Sequence, residues 1–445
     1  MPKVAIIDQT VSAGGVERFL HGLIAGAIEE RITDDWEIVL VRNRLNSARI
    51  HVPWPQHLLA PKLQVLYMDG ENPLSRALNR LASAGRIFGI PGTGVLQRRF
   101  AQLFRSIGPA RWRAYCGETR CWLENYFQKN SFDVVYFSYP YFLDPPRLKV
   151  PMVATPHDFT FKHGLSMSTA VQRRLDTQMP KWLESCSQIV VSSQFIADDL
   201  KRFYPASAAK ARIIRLGIPA AEREPTAEEV EAFRKRNGLP ERFVLVVGWI
   251  VEHKNQQVVF EAVAKLRDRG LPIPVVCVGP NSDILNESDT KRNHKRSSSY
   301  GERVLKFCES VGLKNRVDYF SLGFVDDFAV DCLYRSAMML IVPTITEAGS
   351  FPAREAMQAG CPVAYSQIPV FEEEMQLIEG NAWTFPTHDS GALANLIAEV
   401  AENRDEARRR AAAAKELVSR VYCWRTTARA YFSLFEQVAS MESTV

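Results

Sequence analysis

Two carboxylates, Glu347 and Glu355, bracket a short run that contains Gly349, Ser350, Phe351 and Pro352. An apolar, strand-like stretch ends just before, at Pro343, and Gly360 with Pro362 marks the end of a helix that Pro352 can open. The pattern predicts Glu347 on a loop and Glu355 in the first helical turn. Carboxylates so placed can accept hydrogen bonds from sugar hydroxyls, and the spare N–H groups of a helix N-terminus can hold phosphate. Taken singly, each acid has a plainer role: a solvated loop residue, or a first-turn charge complementing the helix dipole.

Three other places carry chemistry. Lys254 follows a strand-like run in the stretch Gly248-Trp249-Ile250-Val251-Glu252-His253-Lys254-Asn255, where a cation can meet an anion; alone, it reads as a solvated turn residue. Gly14 and Gly15 stand between the first strand and the first helix. Lacking Cβ atoms, they let backbone N–H groups approach a bulky anion, or simply make a turn. His157 is followed by Asp158 at the end of another strand, a pair that is ordinarily structural, with the acid fixing the ring's tautomer.

The elements that must position these residues alternate between short apolar runs and helical stretches. Strands are predicted at residues 3–7, 38–41, 65–68, 134–137, 152–155 and 189–191, then at 243–248, 274–279, 317–320 and 338–342. Helices are predicted near 16–30, 256–269 and 300–311. Such alternation builds parallel sheets covered by helices on both faces. One sheet would be unusual for 445 residues, and two Rossmann-like domains are the simpler solution. The break falls after Leu216-Gly217-Ile218-Pro219, giving domains 1–217 and 218–421 and a final segment 422–445.

Composition excludes several classes. A chain that is 46% hydrophobic and 24% charged is neither disordered nor collagen-like, nor a disulfide scaffold. No uncharged apolar run reaches the roughly 18 residues of a membrane span. No signal-peptide pattern is read at the start, and the 8 Cys lack metal-ligand spacing, so reduced thiols in a cytoplasmic compartment are expected. The net charge of +5 hides an asymmetry, because the basic excess lies in the first half and an acidic excess in the second. The first half is expected to face something anionic.

Taken together, the run from Glu347 to Val363 resembles the E-x7-E signature of retaining nucleotide-sugar glycosyltransferases of family 4. Glu355-Ala356-Met357, Gly360 and Pro362-Val363 match its tail. The resemblance implies an α/β fold of the GT-B type: two Rossmann-like domains facing a central cleft, with a last helix after Tyr422 crossing back to the N-terminal domain. It implies that Glu347 positions the donor hexose, Glu355 the nucleotide ribose and Lys254 the diphosphate. Gly14, Gly15, Gly248, His253, Gly349, Ser350 and Phe351 would line the donor. His157 matches a family histidine that faces the donor sugar, so His157, Lys254 and Glu347 form the implied catalytic set. The family's usual arginine beside the lysine is absent, with Trp249 and His253 at its common positions.

The implied activity is transfer of a hexose from GDP-mannose or a UDP-sugar, with mannose slightly favoured, to a hydroxyl of a growing or lipid-linked cell-surface glycan. The anomeric configuration would be retained, and neither a metal nor another cofactor is expected. The alternative is a catalytically idle homologue acting as a glycan-binding or partner-binding scaffold. A phosphorylase would carry a cofactor-lysine motif, and an epimerase would lack the E-x7-E register. No nucleic-acid partner is expected.

Residues 73–116 hold eight Arg and no acid, interleaved with Leu, Ile, Phe and Trp. The plain reading is a basic insertion in the first domain. The sharper one is an amphipathic surface on which Arg76, Arg80, Arg98, Arg99 and Arg105 meet anionic lipid, holding the enzyme on the inner face of the cell membrane. The polar run 281–299 reads as a surface loop.

Overall fold

Val4, Ala5, Ile6 and Ile7 are all fully buried, as a parallel strand covered on both faces requires. They belong to β1 (Lys3–Asp8) of a computed structural model that describes residues 1–8, 15–43, 56–68, 109–140, 144–164, 169–219, 223–286 and 299–442. Among these residues, β1 joins β2 (Glu37–Asn43), β3 (Leu63–Met68), β4 (Val134–Phe137), β5 (Met152–Ala154), β6 (Gln188–Val191) and β7 (Ala211–Ile213) in a parallel sheet ordered β3-β2-β1-β4-β5-β6-β7.

A second parallel sheet runs β10-β9-β8-β11-β12-β13. Its strands are β8 (Val244–Val247), β9 (Val275–Val278), β10 (Tyr319–Ser321), β11 (Met339–Val342), β12 (Val363–Ser366) and β13 (Trp383–Phe385). Both orders reverse about their first strand, between β1 and β4 in one sheet and between β8 and β11 in the other. Open parallel sheets bind ligands outside the C-terminal ends of the strands at such a reversal. The second sheet therefore directs attention to the loops after β8 and β11.

The described chain clusters into two compact units. One comprises Met1–Phe161, Met167–Gly217 and Trp424–Val445; the other comprises Lys162–Ser166 and Ile218–Cys423. In the first unit, the helix Trp424–Glu442 lies on the helix Gly15–Glu29. Gly22 and Gly26, one turn apart, make that approach feasible: a Cβ on Gly26 would stand 2.6 Å from the Trp424 carbonyl carbon, and one on Gly22 would run into the indole. The Tyr431 hydroxyl then reaches the sheet, 3.0 Å from Thr155 Oγ1 and 3.4 Å from the Tyr136 hydroxyl. In the second unit, Val259, Phe260, Tyr319, Leu393 and Ile397 are among the side chains of one buried cluster around the sheet.

Gly14, Arg76, Arg80, Arg98, Arg99 and Arg105 lie outside the described residues, as does the run around Lys291. The basic segment enters the description only at its end, where the helix Pro109–Lys129 begins. Among the described residues, no helix is long and apolar enough to cross a membrane.

Candidate active site

The loop after β8 turns at Gly248, whose φ of 142° favours glycine. Close packing adds a second constraint there: a Cβ on Gly279, at the end of β9, would stand 2.5 Å from the Gly248 carbonyl oxygen. The chain then forms a single 3-10 turn, Glu252–Lys254, closed by Asn255 in the left-handed region at φ 51°. The Asn255 side chain donates to the Thr387 carbonyl at 2.8 Å, which fixes the end of the turn that carries Lys254. Trp249 is 55% exposed, so an aromatic face stands where the resemblance leads one to look for an arginine.

The loop after β11 meets this turn directly. The Ile345 N–H donates to the His253 carbonyl at 2.8 Å, and Ser366 Oγ at the end of β12 donates to the Thr344 carbonyl at 2.5 Å. Lys254 Nζ donates to Glu347 Oε1 at 2.5 Å, with the two side chains only 24% and 16% exposed. Two residues 93 positions apart thus meet at the reversal of the second sheet. Glu347 Oε2 is buried and has no hydrogen-bond partner among the described residues. Leaving a buried acceptor unmatched costs roughly 1–3 kcal/mol, more if charged, so this oxygen favours a ligand that brings a hydroxyl.

Gly349 sits at φ 145°, a conformation that side chains rarely adopt. Ser350 caps the helix Phe351–Gln358, its hydroxyl accepting from the Ala353 N–H at 3.3 Å, with Pro352 in the first turn. Because the cap is Ser350, Glu355 falls in the second turn and not the first. There it is half-buried and accepts from the Tyr334 hydroxyl at 3.0 Å.

Between the two acids lies a charged residue that the motif does not single out. Arg354 is 5% exposed; its Nε donates to Glu374 Oε1 at 3.1 Å, and a guanidinium NH2 group reaches the same oxygen. Tyr365 donates to Glu374 Oε2 at 2.8 Å. The one available signal was a charge on a helix stripe otherwise filled by Ala353, Ala356 and Met357, all buried.

In the first unit, Gly15 opens the helix Gly15–Glu29. His157 lies against Phe19, with ring centroids 5.3 Å apart, and its Nε2–H donates to the Ser138 carbonyl at 2.8 Å. Burial holds its pKa below the ordinary histidine value, so the ring is neutral at pH 7 and Nδ1 is its acceptor. Asp158 bonds elsewhere, one of its oxygens accepting from the Thr160 N–H at 2.9 Å and from the Thr160 hydroxyl at 2.6 Å. A backbone carbonyl, and not the neighbouring acid, fixes the tautomer. A second charge group that the sequence does not single out joins Arg42 to Asp8 at 3.2 Å and to Glu17 at 3.1 Å. Among the described residues, no cluster of three metal-ligating side chains occurs.

Known proteins share this architecture and parts of its sequence. Residues 229–417 match the family described as "Glycosyl transferases group 1", and residues 74–222 match "Glycosyltransferase Family 4". An uncharacterized glycosyltransferase of Methanocaldococcus jannaschii is 24% identical over 208 residues, which span 46% of this chain and about half, 48%, of that protein. A D-inositol 3-phosphate glycosyltransferase of Corynebacterium glutamicum is 23% identical over 313 residues, 66% of this chain and 68% of that one. The solved sucrose-phosphate synthase of Thermosynechococcus elongatus superposes with a TM-score of 0.69 at 17% identity, covering 99% of this chain and 100% of that one. Anabaena HepE in complex with UDP-glucose gives a TM-score of 0.61 at 16% identity, with both chains fully covered. At these identities the structural likenesses establish the fold.

Proposed function

Since this chain belongs to the family 4 glycosyltransferases of the GT-B fold, we propose that it moves a hexose from a nucleotide-diphosphate sugar to a glycan hydroxyl, with retention and without a metal. The observation that carries this reading is the Lys254–Glu347 contact at the reversal of the second sheet, with Glu347 Oε2 buried and unmatched among the described residues. A phosphate group can take the ammonium, and a sugar hydroxyl can donate to the carboxylate.

In this reading Lys254 stabilises charge on the departing diphosphate as the sugar–oxygen bond breaks. A diphosphate oxygen accepts the acceptor hydroxyl's proton while the new bond forms on the same face. Catalysis is then chiefly electrostatic, from groups already fixed before the reaction. Glu347 orients the hexose and Glu355 the ribose. His157 is assigned to the sugar on the family resemblance, and its neutral Nδ1 suits accepting a hydroxyl proton over donating one.

Either a UDP-sugar or GDP-mannose fits this chemistry; the UDP-glucose complex of HepE favours the uridine nucleotide. The acceptor proposed is a growing or lipid-linked glycan. Attachment to an anionic membrane through Arg76, Arg80, Arg98, Arg99 and Arg105 is part of the same proposal. It predicts salt-sensitive flotation with anionic liposomes that is lost when Arg98, Arg99 and Arg105 are changed to Glu.

The test of the activity is release of nucleoside diphosphate from a panel of UDP-sugars and GDP-mannose, with and without EDTA. Release from one donor, unchanged by EDTA, supports the reading. Complete loss restored by Mg²⁺ removes the metal-free mechanism, and no release from any donor favours the scaffold alternative.

A further inference from the structure

Gly349 is pinned from the side by the Arg354 guanidinium. A Cβ built on Gly349 would stand 2.7 Å from an Arg354 guanidinium nitrogen and 3.5 Å from Glu374 Oε1. The guanidinium is held by a buried ion pair and an aromatic ring. Glu374, 3% exposed, takes its charge; the Tyr365 hydroxyl holds the second Glu374 oxygen; and the Tyr422 ring lies 4.1 Å from the Arg354 Cζ. Tyr422 is itself fixed, because its carbonyl accepts from the Ile218 N–H at 3.1 Å. Ile218 begins the long segment Ile218–Cys423 of the second unit, and Tyr422 lies one residue before its end. The cluster thus joins the Gly349 loop to the two ends of that segment.

We propose that Arg354 is a positioning residue. Clamped between Glu374 and Tyr422, it sets the left-handed turn at Gly349, and that turn sets where the Glu347 carboxylate stands. A buried ion pair is a costly way to fill space, since apolar side chains of similar volume often do so with equal or greater stability. A planar cation that also abuts a glycine in a conformation other residues rarely adopt specifies a loop conformation that apolar packing leaves free. Misplacing a reacting contact by about 1 Å can cost on the order of a hundredfold in rate. The inference rests on assigning Glu347 to the donor sugar, and its test separates the two.

The first variant is Arg354→Lys, which keeps the charge and loses the planar group. The second is Arg354→Met combined with Glu374→Gln, which removes both charges and keeps an oxygen to accept from Tyr365, so that a folded protein is available if the lysine variant unfolds. Hydrogen exchange of residues 345–351 is read without donor, and kcat, donor KM and nucleoside-diphosphate affinity are read with it. The expected result is faster exchange confined to that loop, kcat down at least about tenfold, and diphosphate affinity within about threefold of wild type, because Lys254 is untouched. A purely structural role would lower the melting temperature and leave the kcat of the folded variants unchanged. Unchanged loop exchange with wild-type kcat in either folded variant overturns the proposal. If wild type takes no nucleotide sugar, the transferase reading falls, and the exchange of residues 345–351 still decides this one.

Discussion

Lys254 and Glu347 share one contact, 2.5 Å from ammonium to carboxylate, and the second Glu347 oxygen is buried beside it with no described partner. The pair ties the turn after β8 to the loop after β11, the two connections that flank the reversal of the second sheet. In the proposed reading a donor diphosphate competes with Glu347 for the ammonium, and a donor hydroxyl satisfies the carboxylate oxygen. One ligand can therefore exchange one internal ion pair for two charge-assisted contacts.

Lys254→Ala should weaken nucleoside-diphosphate binding. A charge-assisted hydrogen bond to phosphate contributes roughly 1.5–3 kcal/mol, or about tenfold to over a hundredfold in affinity. The variant also leaves Glu347 without its cation, so part of the effect is a less ordered carboxylate. Titration calorimetry with UDP and GDP measures the change, and wild-type affinity in the variant means the diphosphate sits elsewhere.

Gly26→Ala tests the close helix contact in the first unit. In an open helix interior this change stabilises by up to about 1 kcal/mol. Here the new methyl would meet the Trp424 backbone, 2.6 Å from its carbonyl carbon, and a backbone cannot turn aside as a side chain can. A net loss of about 1–3 kcal/mol is predicted. Thermal unfolding decides by sign: the midpoint should fall, and a rise contradicts the packing.

His21 gives the fold a pH dependence. Burial, then the Arg42 and His57 charges, lower its pKa from 6.5 to about 4. Between those values the unfolded chain binds a proton that the folded chain refuses, so stability is complete above about pH 6.5 and is lost as pH falls towards 4. Denaturant midpoints of wild type and His21→Gln, measured from pH 7.5 to pH 4, should show the wild type losing ground across that window. A difference that does not change with pH removes the assignment.

Much of the frame is legible from residue order, for definable reasons. β4 is a four-residue apolar run buried on every side chain, and its sequence limits, Val134 and Phe137, are its limits in the sheet. By contrast β7 and β13 are three residues long, and β12 is hidden in the tail of the motif; each is a strand because a neighbour pairs with it, which local periodicity does not encode. The family resemblance names Glu347 and Lys254 separately, but their meeting depends on strand order, which alternation alone leaves open. Arg354 escapes notice because a charge in sequence reads as solvent-facing, whereas Glu374 and Tyr365 supply it with a buried site. Glu355 is expected one turn too early because Pro352 and Gly349 do not by themselves reveal Ser350 as the capping residue.

The most direct test of the account is paired titration of wild type and Glu347→Gln with a nucleotide sugar and with its parent nucleoside diphosphate. In wild type the sugar should add affinity beyond the diphosphate, or appear in turnover, because its hydroxyl donates to Glu347. In Glu347→Gln, folded as judged by its melting temperature, that increment should vanish and transfer should drop by about two orders of magnitude, while diphosphate binding persists. Wild-type turnover and an undiminished sugar increment in the variant would contradict the account.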